Sequence, residues 1–416
     1  MTEEEHVEAV AVVEPFDPSI PELITDPYPI FAEIREKDPF HWSKFGYWVV
    51  SRYDHVREVL MNRKDFGTGD FIANLKLFYG PDFDPMANSA YRWLSEVFIM
   101  QDPPQHTRTR GLVTGSLTAK RVRAMEPRIR EICAELTDAF IGDGHADLMT
   151  QFAYKLPVMV ICDLMGIDYG APAMDRLMAA IPEAFVAFEA RKLTEAELAT
   201  ANRAIDDLES FFLAEFEDRL ANPRDDLLTA LAQTGTMPDG LSMHEATTVA
   251  IALFGAGFET TANIIGNGLY RLHCHPDQWR RLVDAPAALA ASTNEEALRY
   301  ESSLVAAYRT ALNDTTIDGH TVAKGQRVLT LVGAANRDGR KFPDPDRFDI
   351  GRGASDHMSF GGGIHFCVGA ELARIEARVA FEHMATALPT MKVDLSSAEW
   401  RDNFLFRGLL RLHATW

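Results

Sequence analysis

Four cysteines, Cys133, Cys162, Cys274 and Cys367, are the residues of this 416-residue chain best suited to bind a metal or to act as a nucleophile. No two of them form a Cys-x-x-Cys pair, which disfavours zinc-ribbon, iron–sulfur and thioredoxin-type sites. The first three lie in apolar, helix-like stretches, where we expect buried, reduced thiols. Cys367 is different, because the surrounding segment is rich in glycine.

The segment around Cys367 combines a tightly turning backbone with the start of a helix. Its glycines allow close approach to a flat, bulky group. The following residues show helical spacing through Leu372, Ile375 and Val379, so the cysteine lies at a helix N-terminus, where N–H groups and the helix dipole favour a thiolate. That placement suits a metal ligand or a nucleophile. His365 is poorly placed as the base of a Cys–His pair, and the loop lacks the Lys-Ser/Thr of a phosphate-binding loop.

A second polar motif interrupts a helix that is apolar on all sides. In Ala256–Thr261, the Thr260 hydroxyl can bond a carbonyl one turn back, and Gly257 weakens the helix, so we expect a local widening. Taken alone, the motif is more simply a pair of core threonines with Glu259 reaching solvent. However, an unpaired glutamate is costly in so apolar a helix.

A third motif, Glu296-x-x-Arg299, places two opposite charges on one face of a helix. Alone it would be interpreted as an exposed salt bridge worth well under about 1 kcal/mol. Thr293 stands three residues before Glu296, and the spacing predicts a capping box at the start of this helix.

The cysteine segment resembles the loop of the cytochrome P450 family. Phe360-Gly-Gly-Gly-Ile-His-Phe-Cys-Val-Gly369 matches Phe-Gly-x-Gly-x-His-x-Cys-x-Gly at each fixed position. In that family the cysteine thiolate is the axial ligand of a haem iron. The resemblance, which runs from about Asp17 to the end and is closest to soluble bacterial members, implies that Cys367 binds the iron of haem b (iron protoporphyrin IX). It also implies that Phe360 packs near the sulfur and that Gly369 belongs to the cofactor site.

The resemblance also assigns roles to the other motifs. Ala256–Thr261 is similar to the family's oxygen-activation segment, which makes Glu259 and Thr260 the expected catalytic proton relay to dioxygen. Glu296 and Arg299 match the family's structural Glu-x-x-Arg. The third member of that network is expected to be Arg347, with Arg352 as the alternative. Cations for the two haem propionates are expected from the following residues: His106, Arg110, Arg309 and His365.

The elements that position these residues are mainly helical, with small β-sheets near both ends. A capping box at Ser242–Glu245 opens a helix that runs towards Pro276, roughly 50 Å long, and its apolar middle predicts a buried central helix. Short strands are expected on either side of the Lys44–Gly46 turn and within residues 315–332, with a helix beginning near Asp54. Residues 66–103 show weak periodicity and are expected to be irregular. Together with the resemblance, this predicts one compact domain of the P450 fold over residues 17–416, after a flexible segment, 1–16.

Composition narrows the class of partner. The formal charge of −20 argues against nucleic acid and anionic membranes. The acidic start of the chain lacks the pattern of a signal peptide, and no long uncharged apolar run predicts a membrane span, so we expect a cytoplasmic protein. We also expect a monomer, although none of these patterns determines the oligomeric state.

The resemblance implies two externally supplied electrons per turnover, and we expect a ferredoxin with its ferredoxin reductase as the donor. Residues 108–130 carry seven basic residues against one acid, and the helix after Cys367 adds Arg374 and Arg378. These segments predict a basic patch that steers an acidic redox protein.

The predicted function is a monooxygenase that inserts one oxygen atom of dioxygen into a hydrophobic small molecule by hydroxylation, epoxidation or O-dealkylation. Two alternatives are a peroxide-using or isomerising haem-thiolate enzyme, which would lack the acid–threonine pair, and a non-catalytic haem-binding sensor. Aromatic residues are numerous among the candidate pocket residues, which favours a compact, uncharged substrate such as a terpenoid or small aromatic. Those candidates are Phe71, Leu75, Phe78, Trp93, Phe98, Leu253, Phe254, Gly257, Val305, Ala306 and Phe406.

Overall fold

Helices dominate the computed structural model, which describes residues 16–18, 20–69, 71–189, 191–353 and 356–416 and bears out the predicted mainly α class. Small sheets accompany them. Within these residues the α-helices are α1 (Pro21–Thr25), α2 (Tyr28–Lys37), α3 (Tyr53–Met61), α4 (Phe71–Tyr79), α5 (Ser89–Glu96), α6 (Gln105–Ser116), α7 (Ala119–Ala124), α8 (Glu126–Asp138), α9 (Lys155–Met165), α10 (Met174–Phe185), α11 (Glu195–Ala221), α12 (Leu227–Thr234), α13 (Met243–Cys274), α14 (Pro276–Asp284), α15 (Pro286–Tyr300), α16 (Val332–Ala335) and α17 (Ala370–Ala387).

The strands are short and lie mostly near the two ends of the chain. They are β1 (Phe40–Trp42), β2 (Trp48–Val50), β3 (Phe66–Gly67), β4 (His145–Asp147), β5 (Ala307–Ala311), β6 (Thr315–Ile317), β7 (His320–Val322), β8 (Arg327–Thr330), β9 (Lys392–Val393), β10 (Glu399–Trp400), β11 (Leu409–Arg411) and β12 (His413–Thr415).

Helix α13 is the core of the helical part. The predicted capping box is present, because the Glu245 N–H donates to the Ser242 hydroxyl at 3.2 Å and the Ser242 N–H donates to the Glu245 carboxylate at 2.8 Å. The helix packs against α9, α11, α15 and α17. Among the described helices, α13 is long and apolar enough to cross a membrane, but 83% of its most apolar window is buried inside the protein. It is therefore the buried central helix that the sequence predicts.

The largest sheet has the strand order β1-β2-β8-β5-β3, and Arg309 and Arg327 belong to its strands. The predicted hairpin of β1 and β2 is present, and β8 pairs parallel to β2 and antiparallel to β5. Arg309 of β5 lies opposite Val328, and Thr310 lies opposite Arg327. Because opposed residues share a face and neighbours along a strand alternate, Arg309 and Arg327 project from opposite faces of this sheet.

The predicted cap of the Glu-x-x-Arg helix is wrong. Helix α15 begins at Pro286, and Thr293 lies in its interior, where its hydroxyl is buried without a hydrogen-bond partner. Proline favours the first helical position because its φ angle is already helical and no N–H is lost there. The helix therefore starts two turns earlier than the Thr293 signal indicated.

Two other expectations are corrected. The stretch from residue 66 to residue 103 contains α4 and α5, and their packing depends on tertiary contacts such as the 2.7 Å hydrogen bond between the hydroxyls of Tyr79 and Tyr91. Phe16, placed in the flexible segment, is buried against Phe404 with ring centroids 5.2 Å apart. Residues 1–15 lie outside the described residues, and the assignment of residues 17–416 to one domain stays a prediction.

Candidate active site

The cysteine loop is fixed by its own backbone and by α3. Gly361 and Gly363 have positive φ angles of 71° and 62°, which favour glycine. A Cβ at Gly363 would also lie 2.6 Å from the carbonyl oxygen of Leu60. The Cys367 N–H donates to the Phe360 carbonyl at 2.9 Å, which closes the loop immediately before α17. The glycines therefore bring the cysteine to the helix start, as the sequence predicts.

The environment of Cys367 differs from that of the other cysteines. Cys133 and Cys162 are buried, and burial raises the pKa of the Cys162 thiol to about 12. Cys274 is partly exposed. Cys367 is exposed. Burial raises the pKa of the Cys367 thiol, and the N–H groups at the start of α17 with the nearby arginines oppose this only in part. Burial and the helix start therefore act in opposite directions on the pKa of this thiol.

A cluster of four basic side chains lies around the cysteine loop. His106 and Arg110, one turn apart on α6, both face it: the rings of His106 and His365 lie 4.5 Å apart, and Arg110 donates to the Phe366 carbonyl at 2.5 Å. Arg309 from β5 joins them, and its guanidinium donates to the Tyr308 carbonyl at 2.8 Å. The structure thus brings together the four basic side chains that were predicted to hold propionates.

This cluster is short of negative charge. Burial lowers the pKa of Arg309 to about 10 and that of His365 to about 3, and both nitrogens of His365 are buried without a hydrogen-bond partner. Asp102 is the acid that opposes the shift at Arg309, but its oxygens already accept the N–H groups of Thr68 and Gly69, each at 3.0 Å. A guanidinium that is withdrawn from water without an ion-pair partner is costly, and so are imidazole nitrogens buried without a hydrogen bond. The residues therefore fit a cofactor that brings its own carboxylates to the side of Cys367, as haem does.

The second motif lies in an unbroken part of α13. The Thr260 hydroxyl donates to the Ala256 carbonyl at 2.8 Å, as predicted, yet the helix stays α-helical and does not widen. Ala256 is exposed within an otherwise buried helix, and Gly257 and Thr260 are partly exposed. These residues therefore border a space that protein side chains do not fill.

Glu259 is buried and held by groups that no motif indicated. Its carboxylate lies 3.4 Å from the Arg401 guanidinium, which also donates to the Tyr154 hydroxyl at 3.0 Å. Burial raises the pKa of Glu259, and the charge of Arg401 opposes that shift. Arg401 lies near the C-terminus, so sequence distance concealed its pairing with α13.

Glu259 and Arg401 also border a cavity of about 130 Å³ between α10, α13 and the β10–β11 connection. Burial raises the pKa of Glu189, another acid of its wall. A space of this size holds several water molecules, since one needs roughly 10–15 Å³. Its lining consists of Pro182, Phe185, Val186, Glu189, Glu259, Arg401, Asp402, Asn403 and Phe406.

The predicted substrate residues divide into two groups. Phe406 lines this cavity, and Phe71, Phe78 and Gly257 are partly exposed. Trp93 is fully buried behind the cavity wall, and its ring stacks on that of Phe185 with the ring centroids 6.0 Å apart. Leu75, Phe98 and Leu253 are also buried in the main core.

Three of the predicted substrate residues are corrected, because they pack elsewhere. Phe254 contacts Phe212 of α11, with ring centroids 5.7 Å apart. Val305 and Ala306 are each 1% exposed, within the apolar cluster that includes Phe31. These side chains face protein and not an open pocket.

The Glu-x-x-Arg motif forms a closed, buried network. Arg299 binds Glu296 through two bonds of 2.8 Å and donates to the carbonyls of Asn336 and Pro345. Arg352 is the third member, 3.3 Å from the Glu296 carboxylate. The expectation of Arg347 is wrong: its side chain is 64% exposed and lies 3.7 Å from Asp349. Only its backbone carbonyl accepts from Arg299. The sequence alone could not decide which of these two arginines, five residues apart, reaches Glu296.

The predicted basic patch is largely neutralised. The arginines of α7, α8 and α17 form ion pairs with acids that are distant in sequence, and counting charges along one segment overlooked these acids. The closest pairs are Arg121–Asp225 (3.2 Å), Arg123–Glu371 (2.6 Å), Arg128–Asp163 (2.7 Å), Arg130–Glu382 (3.0 Å), Arg374–Glu295 (2.8 Å) and Arg378–Glu126 (2.7 Å).

Comparison with known proteins gives a consistent result. The family model described as Cytochrome P450 matches residues 43–284 and 289–390. The vitamin D(3) 25-hydroxylase of Pseudonocardia autotrophica is 36% identical over 94% of both chains. The cytochrome P450 monooxygenase PikC of Streptomyces venezuelae is 35% identical over 95% of this chain and 92% of its own. The crystal structure of CalO2 superposes with a TM-score of 0.88 at 27% identity, over 97% of this chain and 99% of that one.

Proposed function

The chain belongs to the cytochrome P450 family and is a monooxygenase, and on that premise we propose that Cys367 is the axial ligand of its haem iron. The observation that carries this proposal is that Arg110 and Arg309, beside Cys367, are partly buried and have no ion-pair partner among the described residues. Haem b, iron protoporphyrin IX, supplies two propionates of the required charge. When bound, it supplies the iron at which dioxygen is activated with two electrons. His106, Arg110, Arg309 and His365 hold its propionates, with Phe360 and Gly369 beside the sulfur.

We propose that Glu259 and Thr260 supply protons for this reaction. The Thr260 hydroxyl donates its hydrogen to the Ala256 carbonyl, so its oxygen can accept a hydrogen bond from a water molecule, and it passes its own proton on when the hydroxyl rotates away from that carbonyl. Burial raises the pKa of Glu259, which favours its protonated form relative to an exposed glutamate, and the adjoining cavity gives water access to it. The presence of this acid–threonine pair favours dioxygen-dependent chemistry over the peroxide-using or isomerising alternative.

The proposed substrate is a hydrophobic small molecule that is hydroxylated, epoxidised or O-dealkylated. The accessible part of the predicted pocket, with Phe71, Phe78, Gly257 and Phe406, is apolar and aromatic. A relative named for the hydroxylation of vitamin D(3) supports an apolar substrate that is larger than the compact ligands favoured by sequence alone.

We propose a cytoplasmic monomer that receives electrons from a ferredoxin and its reductase. The basic residues of α7, α8 and α17 lie around the helix that follows Cys367, where a small acidic protein would approach the thiolate side. Most of their charge is paired, so the steering is expected to be modest.

The experiment is a visible spectrum of the haem-loaded protein, recorded during titration with terpenoids, steroids, fatty acids and small aromatic compounds. A thiolate-bound haem gives a characteristic spectrum of the reduced carbon monoxide complex, and a ligand that expels water from the iron shifts the Soret band to the blue. C367S should lose the thiolate spectrum, while C274S, at the other accessible cysteine, should keep it. A thiolate spectrum in C367S would overturn the assignment.

A further inference from the structure

Three arginines of the described chain have a pKa below the usual range: Arg110, Arg309 and Arg327. In each case burial is the main cause, and no carboxylate offsets it fully. Two of them belong to the cluster beside Cys367, where the missing charge is that of a bound cofactor. Arg327 lies on the other face of the sheet and has no such assignment.

The surroundings of Arg327 are aromatic. Its guanidinium carbon lies 4.3 Å from the ring centre of Tyr308 and 5.6 Å from that of Phe78. The Tyr308 ring meets the ring of Tyr47 edge to face, with the centroids 5.7 Å apart. Within the described residues, no carboxylate lies within ion-pair distance of Arg327 and its side chain makes no hydrogen bond. Its donors are nevertheless reachable, because the residue is only partly buried.

Fully buried arginines elsewhere in the protein show how unusual it is for an arginine to have no ion-pair partner. Arg219 binds Asp226 at 2.7 Å, Arg299 binds Glu296 at 2.8 Å, and Arg407 binds Glu301 at 2.5 Å. Each therefore has its charge balanced inside the protein. Stacking on Tyr308 and Phe78 compensates a buried cation only in part, since such contacts contribute less than a carboxylate with direct hydrogen bonds.

We propose that Arg327 binds the carboxylate of an amphipathic substrate, whose apolar part lies along Phe78 and α4. The proposal rests on the proposed monooxygenase function and narrows its substrate class to organic acids. A guanidinium presents parallel N–H donors that match a carboxylate, and the tyrosine hydroxyls beside it can add further bonds. Phe78 belongs to the same helix as Phe71 and Leu75, so a ligand held at Arg327 would extend from the sheet towards the helical core.

The test compares acids with their neutral analogues. Dodecanoic, tetradecanoic and phenylbutanoic acids, each paired with its primary amide, are titrated into the haem-loaded protein at neutral pH and followed by calorimetry and by the Soret shift. The wild type should bind at least one acid about 10- to 100-fold more tightly than its amide, the range of one charge-assisted contact. R327Q should lose that preference and leave the dissociation constant of the amide unchanged.

The matched control is R411Q, because the Arg411 side chain is 63% exposed and lies 3.6 Å from Glu399. R411Q should keep the preference for acids. Equal binding of acid and amide by the wild type, a preference that survives in R327Q, or no calorimetric binding of any acid would overturn the proposal. Amide binding with a Soret shift would in that case leave the monooxygenase function standing, whereas loss of the thiolate spectrum would remove the function itself.

A second measurement separates ligand binding from a structural role. R327M replaces the cation by an apolar side chain that can still pack between Tyr308 and Phe78. If Arg327 serves a ligand, R327M should unfold at the same temperature as the wild type or higher when no acid is added, and acids should no longer raise that temperature. A clear drop in melting temperature without ligand would show that Arg327 stabilises the fold, and would contradict the proposal.

Discussion

Two groups of buried or partly buried arginines in this protein differ in how their charge is balanced. Around Glu296 and Glu301, each guanidinium meets a carboxylate of the chain itself. Around Cys367, neither Arg110 nor Arg309 has a carboxylate within ion-pair distance among the described residues. A closed network is complete when the chain folds, whereas an open one becomes complete only with a ligand. The balance of charge therefore separates cations that stabilise the fold from cations that bind.

The closed group has a second centre at Glu301, at the end of the Glu-x-x-Arg helix. Its carboxylate, 1% exposed, binds Arg271 and Arg407 and accepts from the Tyr28 hydroxyl at 3.1 Å. Arg407 in turn donates to backbone carbonyls near α1, so one buried acid connects the N-terminal segment, α13 and the C-terminal hairpin. Removing one member would leave several buried charges without partners.

The largest expected effect comes from opening a closed network. R299A leaves Glu296 buried without its main partner, which costs about 3–5 kcal/mol, a large part of the stability of a protein. We expect little folded protein, measured as soluble yield and as the midpoint of urea unfolding. R347A removes an exposed arginine of the neighbouring segment and should be nearly neutral. Similar losses in both variants would contradict the assignment of Arg352 as the third partner.

Low pH should destabilise the protein through the same group of buried arginines and carboxylates. Burial alone would raise the pKa of Glu301, but Arg271, Arg407 and Arg337 lower it to about 2, and Tyr28 adds a hydrogen bond. Since the folded pKa lies below the unfolded value of 4.5, this stability is present above about pH 4.5 and is lost as the pH falls towards 2. The shift corresponds to about 3 kcal/mol. E301Q should be less stable at pH 7 and should show a shallower loss of unfolding free energy between pH 5 and pH 2.

Removing an arginine from the open group, beside Cys367, should have the opposite effect on the stability of the protein. R309Q removes a cation without a protein partner, so the protein without haem should keep or gain stability. Haem affinity should fall by about 10- to 100-fold, the range for one charge-assisted contact. Both quantities can be measured, by thermal unfolding of the haem-free protein and by transfer of haem to an acceptor protein. A haem-free R309Q that unfolds readily would place Arg309 in the closed group.

Local signals in the sequence predicted most of the features that depend on short segments. The glycine pattern placed Cys367 before α17, and the Ser242 capping box placed the start of α13. Features that depend on distant contacts were not predictable. Glu259 pairs with Arg401, more than a hundred residues away, and no motif marks Arg401. Phe254 turns towards α11 because its position on α13 is set by helix packing.

The same physical reason explains the misassigned arginines. Arg347 and Arg352 share one loop, and only the folded course of residues 343–352 decides which side chain reaches Glu296. Thr293 and Glu296 have the spacing of a capping box, but α15 begins earlier, at Pro286. Short patterns give the chemistry of a residue, and tertiary packing decides its partner.

The smallest expected effect tests the comparison at the protein surface. Lys120, exposed at the start of α7, has no acid within ion-pair distance among the described residues, unlike the paired arginines beside it. K120E should reduce the rate of electron transfer from a reduced ferredoxin by about 2- to 5-fold at low salt, because a charge at the rim of an interface acts mainly on association. The reduction should disappear at high salt, since exposed charges are then screened. K324E changes an exposed lysine of the β7–β8 turn, away from α7 and α17, and is the matched control. Equal rates for K120E and the wild type at low salt would mean that the paired arginines leave no effective steering charge on this face, and that the donor is selected by shape and apolar contact.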